Sequence, residues 1–129
     1  MKKDGILNAR LSAALARLGH TDLVVVCDAG LPLPPGPEVV DLAFRFGVPP
    51  FATVLSGLLE ELVIEGAVAA SEVESANPGV YGLLRERLPT PELVPHEDFK
   101  SMVAGAKLVV RTGEATPYSN VILRCGVPF

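Results

Sequence analysis

The chain has 129 residues, of which 49% are apolar and 20% charged, with a formal net charge of −4 and a mean hydropathy of +0.39. That length fits one domain spanning residues 1–129, and the composition is globular rather than disordered. An acidic chain with no Lys/Arg stripe among aromatics excludes a nucleic-acid partner, and no apolar run approaches the roughly 18 residues of a membrane span.

The N-terminus Met1-Lys2-Lys3-Asp4-Gly5 carries no signal-peptide core, so a cytoplasmic location is expected. Leu7, Leu11, Leu15 and Leu18 recur at helical spacing, and Gly19 stands where a left-handed cap would end that helix, just before His20. Leu23 to Cys27 is a continuous, mostly β-branched run, which predicts a strand buried on both faces with Asp28 at its end. Ala29 to Pro37, rich in Gly and Pro, predicts a stiff loop. A short extended piece over residues 39–44 leads to Gly47-Val48-Pro49-Pro50, a helix over 51–59 and an apolar strand over 62–70. Asn77-Pro78-Gly79 separates two helical segments, the second reaching about Leu88, and residues 89–95 read as a loop or brief strand. Residues 97–104 put Phe99, Met102 and Val103 on one helical face, and 108–110 and 121–123 supply two last strands. The alternation predicts a three-layer α/β/α domain with a largely parallel or mixed sheet, its ligand groups beyond the strand ends. Cys27 and Cys125 are too few for a disulfide scaffold and read as reduced, buried thiols.

Only two histidines are present. A neutral imidazole can take and give a proton at cellular pH, so each is a candidate for proton transfer. His20 sits in a helix-to-strand turn, where it serves either catalysis or as a surface or capping residue. His96 opens a helix after Pro95, with a surface role or a local hydrogen bond as the alternative. Asp28 ends a buried strand ahead of a Gly/Pro loop, placed either to meet a ligand or to bond loop amides. Residues 112–120 form a polar loop in which Tyr118, Ser119 and Asn120 could hydrogen-bond a sugar or simply build a turn. No phosphate-binding glycine pattern, paired metal-ligand spacing or serine-nucleophile elbow occurs, so neither a metal nor a phosphorylated substrate is expected.

The opening Met1-Lys2-Lys3-x-Gly5-x-Leu7-Asn8 and the run Leu18-Gly19-His20-Thr21-Asp22-x-Val24-Val25-Val26-Cys27-Asp28-Ala29-Gly30-Leu31-Pro32-x-Pro34 resemble the D-ribose pyranase family. So do Gly47-Val48-Pro49, His96-Glu97-x-Phe99-Lys100, Arg111-Thr112-Gly113-Glu114-x-x-Pro117-Tyr118-x-Asn120-x-Ile122-Leu123 and Gly126-Val127-x-Phe129. The resemblance spans nearly the whole chain. It implies a cofactor-independent isomerase that interconverts the pyranose and furanose forms of free D-ribose, assembled as a homodecamer. Its catalytic acid falls on His20, and its substrate-binding positions fall on Asp28, His96, Tyr118, Ser119 and Asn120. The Cys-Asp-Ala-Gly-Leu-Pro string at 27–32 favours ribose over fucose. Two departures stand out: a short stretch between Arg85 and Pro95, and Arg124 where an apolar or small residue is expected.

The implied chemistry opens a hemiacetal. His20 would protonate the departing ring oxygen, while Asp28 would bind a sugar hydroxyl or keep His20 oriented. The rival readings are a non-catalytic ribose-binding accessory subunit of a sugar transport system, and a mutarotase for another sugar such as fucose.

Overall fold

The computed structural model describes residues 1–129. Helix α1 (Ala9–Ala16) is capped by Asn8, whose Oδ1 accepts from the Leu11 amide at 2.9 Å. Leu11 and Leu15 are buried, but Leu7 precedes the cap and is exposed, so the expected stripe is shorter than its spacing suggested. The helix ends at Arg17, and Gly19 is not left-handed. The left-handed residue is instead Thr21, at φ 70°, and the Asp22 carboxylate fastens the turn by accepting from the Gly19 amide at 2.7 Å.

Strand β1 (Leu23–Cys27) is central. Its side chains alternate between two cores: Val24 and Val26 join a larger one, Val25 and Cys27 a smaller one on the other sheet face. That is why the run is apolar without interruption. Burial, and then the neighbouring Asp28 charge, push the Cys27 thiol up to about 12.

The remaining elements are β2 (Glu38–Asp41), α2 (Phe51–Glu61), β3 (Ile64–Ala70), α3 (Val73–Ala76), α4 (Pro78–Arg87), β4 (Glu92–Val94), α5 (His96–Val103), β5 (Leu108–Arg111) and β6 (Val121–Cys125). The larger core takes buried residues from α1 to α4, among them Leu11, Phe51, Leu58 and Leu84, and the smaller one takes Phe99 and Val103 of α5. Helices therefore cover both faces of one sheet, in the expected three-layer α/β arrangement. No helix is long and apolar enough to cross a membrane.

The sheet order is β2-β5-β1-β6-β3-β4. The β2–β5, β5–β1 and β3–β4 pairs are parallel, whereas β6 runs antiparallel to both neighbours, β1 and β3. The sheet is mixed because the link from β5 to β6 holds no helix, and a parallel return needs a longer crossover. That link has a consequence for the site. Residues 112–120 leave the end of β5 and step over the end of β1 to enter β6. The Thr112 amide and hydroxyl donate to the Cys27 carbonyl, at 2.9 and 2.8 Å, and the Ala29 amide donates to the Glu114 carbonyl at 2.9 Å. Since β1 to β5 all point the same way, the ends of β1, β4 and β5 lie along one edge of the sheet.

Candidate active site

A cavity of about 540 Å³ opens at that edge, lined among others by Asp28, Phe46, His96, Glu114, Tyr118 and Asn120. Asp28 follows β1, His96 follows β4, and Tyr118 and Asn120 belong to the link that crosses from β5. Four of the six residues singled out from the sequence are thus brought together by three separate segments.

Asp28 and Asn120 form the floor. The Asp28 amide donates to Asn120 Oδ1 at 2.8 Å, and Asn120 Nδ2 donates back to Asp28 Oδ2 at 3.1 Å. Asp28 Oδ1 also accepts from the Gly30 and Leu31 amides, at 2.9 and 2.8 Å. The Gly/Pro loop is therefore wrapped around this carboxylate, and Asn120 is fixed in rotamer and in amide orientation. Asp28 thus bonds loop amides, one of the two expected placements, and it also lines the cavity.

His96 and Tyr118 form a wall, with ring centroids 5.1 Å apart in an edge-to-face arrangement, and the imidazole stacks on Phe99 at 6.3 Å. Tyr118 has φ 56°, an uncommon conformation for a non-glycine residue. The His96 amide donates to both Glu72 carboxylate oxygens at 3.1 Å. Desolvation works to raise Glu72, but the Ser71 hydroxyl and the amides of Glu72 and His96 hold it below the usual carboxylate value. His96 Nδ1 is buried without a hydrogen-bond partner.

Ser119 is fully buried and does not line the cavity. Its hydroxyl is engaged by Asn77 Nδ2 at 3.1 Å and by the Thr116 hydroxyl at 2.8 Å. The side chain therefore holds the turn that presents Tyr118 and Asn120.

His20 is elsewhere. It precedes β1, whereas Asp28 follows it, so the two lie at opposite edges of the sheet and Asp28 does not orient the His20 of its own chain. The imidazole is half-exposed, and its Nε2 meets Glu65 Oε2 at 3.0 Å.

Three further residues shape the cavity, and sequence reasoning had noted two of them only as parts of motifs. Glu114 Oε1 accepts from the amide of Phe51, the first residue of α2, at 3.0 Å. Arg111 donates from Nη2 to the Ala29 carbonyl and from Nη1 to Asp41, both at 2.9 Å. Phe46 stands on the rim, 83% exposed, in a loop that packs against Gly113 so closely that a Cβ there would collide with the Val48 and Arg45 carbonyls.

The RbsD / FucU transport protein family model matches residues 1–128. D-ribose pyranase 1 of Rubrobacter xylanophilus is 70% identical and D-ribose pyranase of Streptomyces avermitilis 67% identical, each over the full length of both chains. Among solved structures, Bacillus subtilis RbsD complexed with D-ribose is 44% identical, with a TM-score of 0.95 over all of both chains. Matches that run from end to end at these identities leave one assignment: the chain belongs to the RbsD/FucU family.

Proposed function

We propose that this chain interconverts the pyranose and furanose forms of free D-ribose, an isomerase reaction that needs no cofactor, with residues 1–129 acting as one sugar mutarotase domain in the cytoplasm. The observation that carries the reading is the cavity built by Asp28, His96, Tyr118 and Asn120, in a fold matching that of a relative solved with D-ribose.

Asp28, His96, Tyr118 and Asn120 bind sugar hydroxyls, His96 while packed edge-on to Tyr118; Ser119 contributes through the turn it stabilises. A carboxylate already saturated by amide donors on Oδ1 keeps its remaining lone pairs in one direction, which preorganises it for a hydroxyl. A neutral pentose suits such a site because it presents donors and acceptors but no charge.

His20 of the same chain cannot reach this cavity. In the homodecamer implied by family resemblance, the cavity of one copy is completed by His20 of the partner subunit. Phe44 and Phe46, 81% and 83% exposed beside the cavity, support a neighbouring copy on that rim.

The reaction then balances with one imidazole. Protonated His20 gives its proton to the ring oxygen O5 as the C1–O5 bond breaks, and the O1–H proton leaves to water as C1=O1 forms. Rotation brings O4 to C1, where O4 attacks the carbonyl, loses its proton to the imidazole, and O1 is reprotonated from water. Acid–base assistance of this kind contributes roughly 10² to 10⁴-fold, enough for a reaction that already proceeds unaided.

The family's description as a transport protein family supports a second reading, a ribose-binding accessory subunit without catalysis. Magnetisation-transfer NMR on equilibrated D-ribose separates the two. Protein-accelerated exchange between pyranose and furanose signals, lost in His20→Ala, is the expected result. Unchanged exchange with saturable ribose binding would establish the accessory subunit instead.

A further inference from the structure

At the sheet edge opposite the sugar cavity, His20, Glu65 and Arg124 form a chain of three side chains on three different segments. His20 Nε2 lies 3.0 Å from Glu65 Oε2, and Arg124 Nε lies 3.2 Å from Glu65 Oε1. Glu65 makes no other side-chain hydrogen bond or ion pair, so both its oxygens serve this group alone.

The backbone is deformed where Glu65 sits. In the β3–β6 ladder Ile64 pairs with Cys125 and Gly66 pairs with Arg124, leaving Glu65 as an extra residue in a bulge. A bulge re-aims one side chain at the cost of one rung of pairing. Here it sends a carboxylate to His20 from within an apolar strand.

The turn bearing His20 is fixed from the other side. The Thr21 amide donates to the Cys125 carbonyl and the Cys125 amide to the Asp22 carbonyl, both at 2.9 Å, while Lys107 Nζ meets Asp22 at 2.9 Å. The charged and titratable groups around His20 are therefore Glu65 and Arg124, with Asp22, Lys107 and Cys125 behind the turn.

We propose that Glu65 is a positioning residue for the proton-transfer histidine, holding His20 Nε2 so that Nδ1 is the nitrogen presented to a sugar in the cavity of the adjoining copy, with Arg124 aiming the carboxylate. The inference rests on the reading of His20 as the acid. A half-exposed imidazole on a turn can rotate and exchange tautomers, and proton transfer needs one defined nitrogen facing the sugar, protonated in the imidazolium and bare in the neutral ring. A carboxylate acceptor at Nε2 selects the rotamer and the tautomer together, so Nε2 keeps its hydrogen throughout and Nδ1 is the nitrogen that gives and takes the transferred proton. Nδ1 makes no hydrogen bond within the chain, which leaves it free for that task. Arg124, a departure from the family pattern, gains a role: it occupies Oε1 so that Oε2 is the oxygen offered to His20.

The test compares Glu65→Ala, Glu65→Gln and His20→Ala by ribose exchange NMR across ribose concentrations. A parallel ¹⁵N measurement of the His20 ring follows its tautomer. Expected are a fall in kcat of about tenfold in Glu65→Ala with KM within about twofold, and partial recovery in Glu65→Gln, whose amide oxygen still accepts from Nε2. The ring should report mainly the Nε2–H form in the wild type and a mixture of tautomers in Glu65→Ala. Wild-type kcat in Glu65→Ala beside an inactive His20→Ala would overturn the role of Glu65 alone. Parallel loss of kcat, KM and assembly in both Glu65 variants would make Glu65 structural and equally overturn it. Full activity in His20→Ala would remove both this inference and the assignment of the acid.

Discussion

His20 and Asp28 flank strand β1, one ahead of Leu23 and the other directly after Cys27, so the whole strand separates them. Five residues at about 3.3 Å each put roughly 16 Å of β-strand between them, more than a pentose spans. Residues that look like neighbours in sequence, eight positions apart, therefore serve one sugar only if two copies of the chain cooperate. The other candidate groups lie together at the Asp28 end because β1, β4 and β5 all finish there and the 112–120 link crosses between them.

Asn120 is the structural hinge of the cavity floor. It is 1% exposed and exchanges two hydrogen bonds with Asp28. Asn120→Ala strands the Asp28 amide and frees its carboxylate, which should cost about 1–3 kcal/mol of stability and weaken ribose binding together. Chemical denaturation and calorimetric titration of ribose check the two effects.

Tyr118 separates packing from hydrogen bonding. Its ring packs edge-on against His96, so Tyr118→Phe keeps that contact and removes only the hydroxyl. The fold should persist while ribose KM rises by up to about tenfold, the equivalent of one neutral hydrogen bond. A wild-type KM would take the Tyr118 hydroxyl out of the binding set.

Gly113 is required by close approach, not by conformation. A Cβ there collides with the Val48 and Arg45 carbonyls, so Gly113→Ala must displace the loop that carries Phe46 to the cavity rim. A loss of about 1–3 kcal/mol is expected, as for other overpacked sites. Gly82, exposed within α4 with open space around it, provides the contrast. Gly82→Ala should stabilise by about 0.5–1 kcal/mol. Thermal unfolding of both variants makes the comparison.

Asp22 ties the His20 turn to acid stability. Its carboxyl is held below the usual value of 3.8 by the hydrogen bond from Lys107, and then by that from the Gly19 amide. A depressed folded value contributes stability that is present above the unfolded value and lost as pH falls through the folded one. Between pH 5 and pH 3 the wild type should therefore lose more Tm than Asp22→Asn, which lacks this titration. Equal slopes would remove Asp22 from the acid response.

Much of this was legible in the sequence because composition and spacing are local signals. The limits of β1 follow from its β-branched run, and the cavity residues Asp28, His96, Tyr118 and Asn120 follow from strand ends and motifs. Long-range topology left no such trace. Leu7 has helical spacing, but Asn8 caps the helix after it. The apolar run of β6 reads the same whether it enters the sheet parallel or antiparallel. Glu65 interrupts an apolar strand, and only the bulge at Ile64–Gly66 shows that it turns toward His20. Arg124 was visible as an anomaly, and its partner was not.

Subunit complementation tests the shared site most directly. His20→Ala lacks the acid but keeps an intact cavity, whereas His96→Ala damages the cavity wall but keeps the acid. Each should be inactive alone in ribose exchange NMR. Co-assembled at equal amounts, random mixing gives roughly a quarter of the sites both an intact cavity and His20 of the partner subunit. The account predicts recovery of about that fraction of wild-type exchange. Two inactive variants that stay inactive in verified mixed assemblies would place His20 and the cavity in separate functions and contradict it.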